Sequence, residues 1–267
     1  MNDSYNLLKL HISQAEQSLY RASNNCYSDQ HKQEYQYKLQ TLFKAFTDDV
    51  ASSTTITNSQ IYDKYKSVLD FIFKSLEFLY SSTLNQIPYE IVECLNYAMN
   101  DWLDPTDSYI IVTSLINSAE DFSFDPSLAF NDALYADLKT RYKIDFTYRL
   151  VQINLPRAIS RDYLSAVVLY HELGHFIDMK YSLMESLTRV MLDKLTNNYF
   201  KGEDLIQLMQ YFPRLQNFVG NAISIPSNHQ EYDITRYHLR EYFCDLFAAQ
   251  YIGKSSNYFL QPLIEFR

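Results

Sequence analysis

The sequence predicts a mainly helical α+β protein with a small sheet. A helical N-terminal region over 1–104 precedes a second domain over 105–267. Three observations lead there. Apolar residues recur at helical spacing throughout the N-terminal region. The two stretches with strand character, SYIIVTSL and YRLVQINLP, both lie beyond Asp104. Further helical patterns then run almost to the C-terminus.

The elements follow in order. Leu7, Leu8, Ile12, Ala15 and Leu19 mark a helix over 4–24. Tyr35, Leu39, Leu42, Phe43 and Phe46 mark one over 30–51, and Ile61, Tyr65, Val68, Ile72, Leu76 and Leu79 one over 59–82. A fourth spans 89–102. Asp104-Pro105 closes the array, because the residue before proline disfavours helix. A strand over 108–115, a helix over about 127–142 and a strand over 148–156 come next, the last closed by Pro156. Ser160 is placed to cap the following helix, with Asp162 in its first turn. Helices at about 182–197, 203–218 and 230–252 complete the chain. NAISIPSNHQ is the loop or short strand before the last.

With 267 residues, 47% of them hydrophobic, the chain can bury a sizeable core. The net charge of −9 and the lack of a Lys/Arg run speak against nucleic acid and anionic membrane as partners. No apolar run approaches the roughly 20 residues of a membrane span. MNDSYNLLKLH lacks the basic start and apolar centre of a signal peptide, so a cytoplasmic location is expected. Cys26, Cys94 and Cys244 are scattered and form no disulfide framework or CxxC metal site. Gly174, one of four glycines, sits inside a helical pattern where glycine costs about 1 kcal/mol relative to alanine; close approach of another backbone would account for it.

That helix contains VVLYHELGHFIDMK, apolar on every side yet carrying His171, Glu172 and His175. A helix apolar all round is buried, and buried polar groups need partners. Residues four apart lie one turn up and about 40° round, so His171 and His175 can share one ion. Glu172, about 100° round from His171, is placed to act as a base rather than a ligand. This is the mechanical content of HExxH, a zinc-binding pattern. A catalytic zinc site needs a third protein ligand. Asp178 is too far along a straight helix. His229 and Glu241 remain, and Glu241 shares a helix face with Asp245 in HLREYFCDLFAAQYIG. One carboxylate of that pair can serve as ligand. The other can hold a ligand histidine by its remaining N–H.

HELGH followed by ExxxD resembles the gluzincin group of zinc metallopeptidases. LYHELGHFID and EYFCDLFAAQYIG are similar to segments of uncharacterised bacterial zincin-like proteins. The resemblance covers about 150–253 and leaves the N-terminal region unassigned. Cys244 departs from it, standing where many relatives place alanine. The resemblance implies a zincin-like core, with Zn2+ held by His171, His175 and Glu241. It implies Glu172 as general base and Asp245 as the residue orienting a ligand. It also implies a group that stabilises the oxyanion, for which His229, Tyr232, Tyr237 and His238 are the candidates; His238, one turn before Glu241, is favoured. A strand beside the active-site helix would hold extended substrate by edge pairing.

The function expected on this basis is hydrolysis of a peptide or protein substrate, with the N-terminal helices available to a protein partner. The alternative is a zincin-like scaffold that binds zinc without turnover and acts through protein contacts. Glu172 speaks for the enzyme, since a purely structural zinc site needs no base.

Overall fold

In the computed structural model of the chain, residues 3–27, 29–53, 61–83, 89–116, 122–157, 167–220 and 230–252 are described. The expectations for Ser160, Asp162, His229 and most of NAISIPSNHQ fall outside them. Four helices open the chain: α1 (Asp3–Ala22), α2 (Gln30–Ser52), α3 (Ile61–Ser81) and α4 (Tyr89–Asn100). The apolar stripes of α1, α2 and α3 meet in one core that includes Leu8, Leu39, Leu42, Phe46, Val68, Ile72 and Leu79. Asp29 caps α2 by accepting from the His31 N–H at 2.7 Å.

Three strands follow in the order β1-β3-β2. β1 (Tyr109–Ile116) pairs in parallel with β3 (Arg149–Pro156), with Ile111 opposite Val151. The crossover that parallel pairing requires contains α5 (Asp132–Tyr142). The short β2 (Ser123–Asp125) pairs antiparallel with β3. At three residues it is too short for an alternating pattern to reveal. α5 begins later than its apolar pattern, because Asn131 takes the cap position and accepts from the Leu134 N–H.

The chain divides into two compact units, Met1–Leu169 and Tyr170–Arg267. The sheet belongs to the first, since Ile110, Val112 and Leu150 lie in the same core as α1, α2 and α3. The expected boundary after residue 104 therefore does not follow the packing. β1 and β3 bury Ile110, Val112 and Leu150 in the core of the helices that precede them.

The second unit is helical among the described residues. α6 (Val167–Tyr181) leads into it, followed by α7 (Leu183–Thr196), α8 (Gly202–Tyr211) and α9 (Gln230–Ile252). Met191, Leu192, Leu195, Phe212, Leu215 and Tyr232 form a buried cluster there. The helix expected over 203–218 is broken. Pro213 has no N–H to donate, and Phe212 before it is forced out of helical conformation, so α8 stops and a 3-10 segment runs over Pro213–Phe218. Among the described residues, no helix is long and apolar enough to cross a membrane.

Candidate metal centre

α6 is buried along most of its length. Leu173, Phe176 and Ile177 have no exposed surface, and Glu172 and Asp178 are almost as deeply buried. The polar residues of this helix therefore have to be satisfied by the elements against it, and α9 supplies partners to His171, His175 and Asp178. At Gly174 the two helices approach closely. A Cβ built on Gly174 would lie 3.0 Å from the Cα of Cys244 and 3.2 Å from its Sγ. The glycine in the middle of α6 is thus explained by close approach of a second backbone, as the sequence led us to expect.

Around that contact α6 and α9 place their polar residues in antiparallel register. His171 meets Asp245, and His175 meets Glu241, one turn further along α6 and one turn back along α9. The Nδ1–H of His171 donates to Asp245 Oδ1 at 2.8 Å. A carboxylate only accepts, so this bond puts hydrogen on Nδ1 and turns Nε2 the other way. His171 Nε2 is buried and makes no hydrogen bond, although Glu241 Oε2 lies 3.4 Å from it. His175 Nε2 lies 3.8 Å from the other oxygen of the same carboxylate. The two imidazole rings stand 4.9 Å apart at 77°.

These separations are those of a ligand set. Two donors bound to one zinc ion at about 2.0–2.2 Å in tetrahedral geometry lie about 3.4 Å apart. A buried ring nitrogen without a hydrogen bond is costly in an apolar protein interior, whereas a cation between it and Glu241 would satisfy it. His171, His175 and Glu241 are therefore one set of groups that could hold a metal ion. Glu172 is buried beside His171, and its charge favours the protonated imidazole.

A second donor set contains Cys244. Ligand atoms of His171, His175 and Cys244 all lie within 4.8 Å of one another. Cys244 Sγ is 3.3 Å from His175 Nδ1, on the opposite edge of the ring from Nε2. A cysteine must be a thiolate to bind metal. Burial, with Glu241, Asp178, Glu172 and Asp245 around it, pushes the Cys244 thiol far above its usual range. The two sets share His171 and His175, and the Glu241 carboxylate is the third group that lies beside the buried Nε2 of His171. Cys244 serves as the partner of His175 Nδ1, leaving Nε2 directed at Glu241.

The titrations reflect the same geometry. Burial alone would lower the pKa of His171, but its bond to Asp245 and the nearby carboxylates of Glu241 and Glu172 outweigh burial and raise it to about 9. Burial and the neighbouring His171 cation lower His175 to about 4. Without metal, the histidine pair holds one proton at neutral pH.

The remaining candidates take other places. Asp178 is not a ligand. Its Oδ1 accepts from the Met184 N–H at 2.7 Å and its Oδ2 from Arg240 Nε at 2.6 Å. His238 is exposed and its ring faces Tyr237, so the structure does not bring it to the cluster. Tyr237 is itself half exposed. Tyr232 is in the apolar cluster of the second unit, with its hydroxyl directed at the Glu185 carbonyl. Arg240 is the participant that sequence periodicity does not single out. A signal existed in the acid on α6, Asp178, buried at 1% and requiring a cation. Comparison of the chain with protein-family models, with curated proteins and with solved structures finds no match.

Proposed function

We propose that this chain is a zinc-dependent metallopeptidase of gluzincin type, with its zincin-like core built around α6 and α9. One observation carries the reading. Two imidazole Nε2 atoms converge on the Glu241 carboxylate, one of them buried and without a hydrogen bond, while Asp245 holds the far side of the same ring.

His171, His175 and Glu241 would hold the zinc. Bound there, zinc would supply Lewis-acid polarisation of a carbonyl and a lowered pKa for water. Glu172 accepts the proton released as water adds to the peptide carbonyl, and returns it to the leaving amine. Asp245 keeps His171 in the tautomer that presents Nε2, and Cys244 Sγ lies beside the Nδ1 of His175. In this reading the substrate is a peptide or protein and the protein acts in the cytoplasm. The N-terminal helices offer a surface to a protein partner. The net charge of −9 supports the exclusion of nucleic acid.

Glu172→Gln tests the proposal. The amide keeps the volume of the side chain and removes its basicity. The variant is expected to fold, to retain zinc and to lose hydrolysis by at least ~100-fold, measured on a peptide library or as self-cleavage. If it matches the wild type in every such assay while His175→Ala does not, the zinc is structural and the scaffold reading takes its place.

A further inference from the structure

Asp178 and Arg240 have no role in the reaction as proposed, yet they form an ion pair whose carboxylate is almost wholly buried. Asp178 is 1% exposed, and both of its oxygens are used. One accepts from the Met184 N–H at the start of α7. Ser182, the residue before that helix, has φ of 51° and makes no side-chain cap bond, so Asp178 supplies the cap from α6. The other oxygen accepts from Arg240 Nε on α9. A carboxylate buried this far needs such partners, and removing one of them leaves an uncompensated charge.

Arg240 is bonded in sequence to Glu241. The Asp178–Arg240 pair lies one turn beyond the Gly174–Cys244 contact, in the direction away from the His171–Asp245 bond. α9 is thus tied to α6 on both sides of the Gly174–Cys244 contact. The two ties differ in kind. His171–Asp245 includes a metal ligand, so metal uptake alters it. Asp178–Arg240 includes none, so it holds α9 in place before any metal arrives.

We propose that the Asp178–Arg240 ion pair is the positioning device that sets Glu241 against His171 and His175 in the metal-free protein. The inference rests on the metal reading above. Holding the third ligand in register removes the ordering cost that a mobile carboxylate would add to binding.

The test uses the full chain, with zinc affinity measured by chelator competition and the coordination geometry by the visible spectrum of cobalt-loaded protein. Arg240→Met and Asp178→Asn are each expected to weaken zinc binding 10–100-fold and to alter the cobalt spectrum. The double variant is expected to lose no more than the worse single one, because both remove the same tie. If Arg240→Met does not fold, Arg240→Gln, which keeps a donor, serves in its place with a smaller loss expected. Variants that melt earlier yet keep wild-type affinity and an unchanged cobalt spectrum would show that the pair is only a structural tie. A wild type that binds no zinc overturns the metal reading together with this one. A wild type that binds zinc beside variants that bind it equally overturns this inference alone.

Discussion

The Cα of Cys244 lies 3.0 Å from the point a Cβ on Gly174 would occupy. That distance is tighter than ordinary packing, and the atom met is backbone, so α9 has to move if position 174 gains a side chain. Gly174→Ala should gain about 1 kcal/mol of helix propensity and lose about 1–3 kcal/mol to overpacking. A lower melting temperature and weaker zinc binding are expected together, because Glu241 and Asp245 move with α9. A melting temperature above that of the wild type would show that the helices separate freely.

Ligand and supporting residues should differ in the size of their effects. His175→Ala and Glu241→Ala each remove a direct donor and should abolish near-stoichiometric zinc in the purified protein, as read by mass spectrometry. Asp245→Ala leaves the donors in place and should weaken zinc binding about 10–100-fold. Equal losses for Glu241→Ala and Asp245→Ala would remove the distinction drawn here between ligand and support.

Proton release on metal uptake follows from the histidine titrations. His171 is raised to about 9, so at pH 7 it carries a proton that zinc must displace. Calorimetry in buffers of different ionisation enthalpy should show about one proton released per zinc, and affinity rising about tenfold per pH unit up to pH 9. In the metal-free protein, the stability from His171 is complete below its ordinary pKa of 6.5 and is lost as pH rises through about 9. His175, lowered to about 4, acts oppositely: stability is lost as pH falls from 6.5 through about 4. Metal-free stability from this pair should therefore peak near pH 6.5. Binding heats that do not depend on the buffer would refute the shared proton.

A separate prediction concerns the first unit. Lys32 is almost wholly buried, with Nζ donating to Ser82 Oγ at 2.8 Å. Burial lowers its pKa to about 8, although Asp29 and Glu93 pull the other way. The folded state thus disfavours the charged form, and the penalty is present in full below pH 8 and vanishes above pH 10.5. Lys32→Met keeps the length of the stem and removes the charge. It should stabilise the protein at pH 7 by on the order of 3 kcal/mol, with the gain shrinking as pH rises. Thermal melts of both proteins from pH 7 to 10 would check this, and a destabilised variant at pH 7 would contradict it.

The sequence by itself determined the helices with clear apolar periodicity, the two longer strands and the HExxH pair. Each is local: residues four apart share a helix face whatever surrounds them. Glu241 and Asp245 were legible for the same reason, as acids one turn apart in an apolar helix. The sheet's attachment to the N-terminal helices was not legible, because an amphipathic strand records that one face is buried and not which helix covers it. β2 has too few residues for a period. Helix geometry had already set Asp178 aside, but only tertiary structure brings Glu241 against the two Nε2 atoms, because that depends on where α9 crosses α6. Gly174 sets how closely they cross, and the buried carboxylate of Asp178 then takes Arg240 as its partner, a pairing between residues 62 apart in the chain.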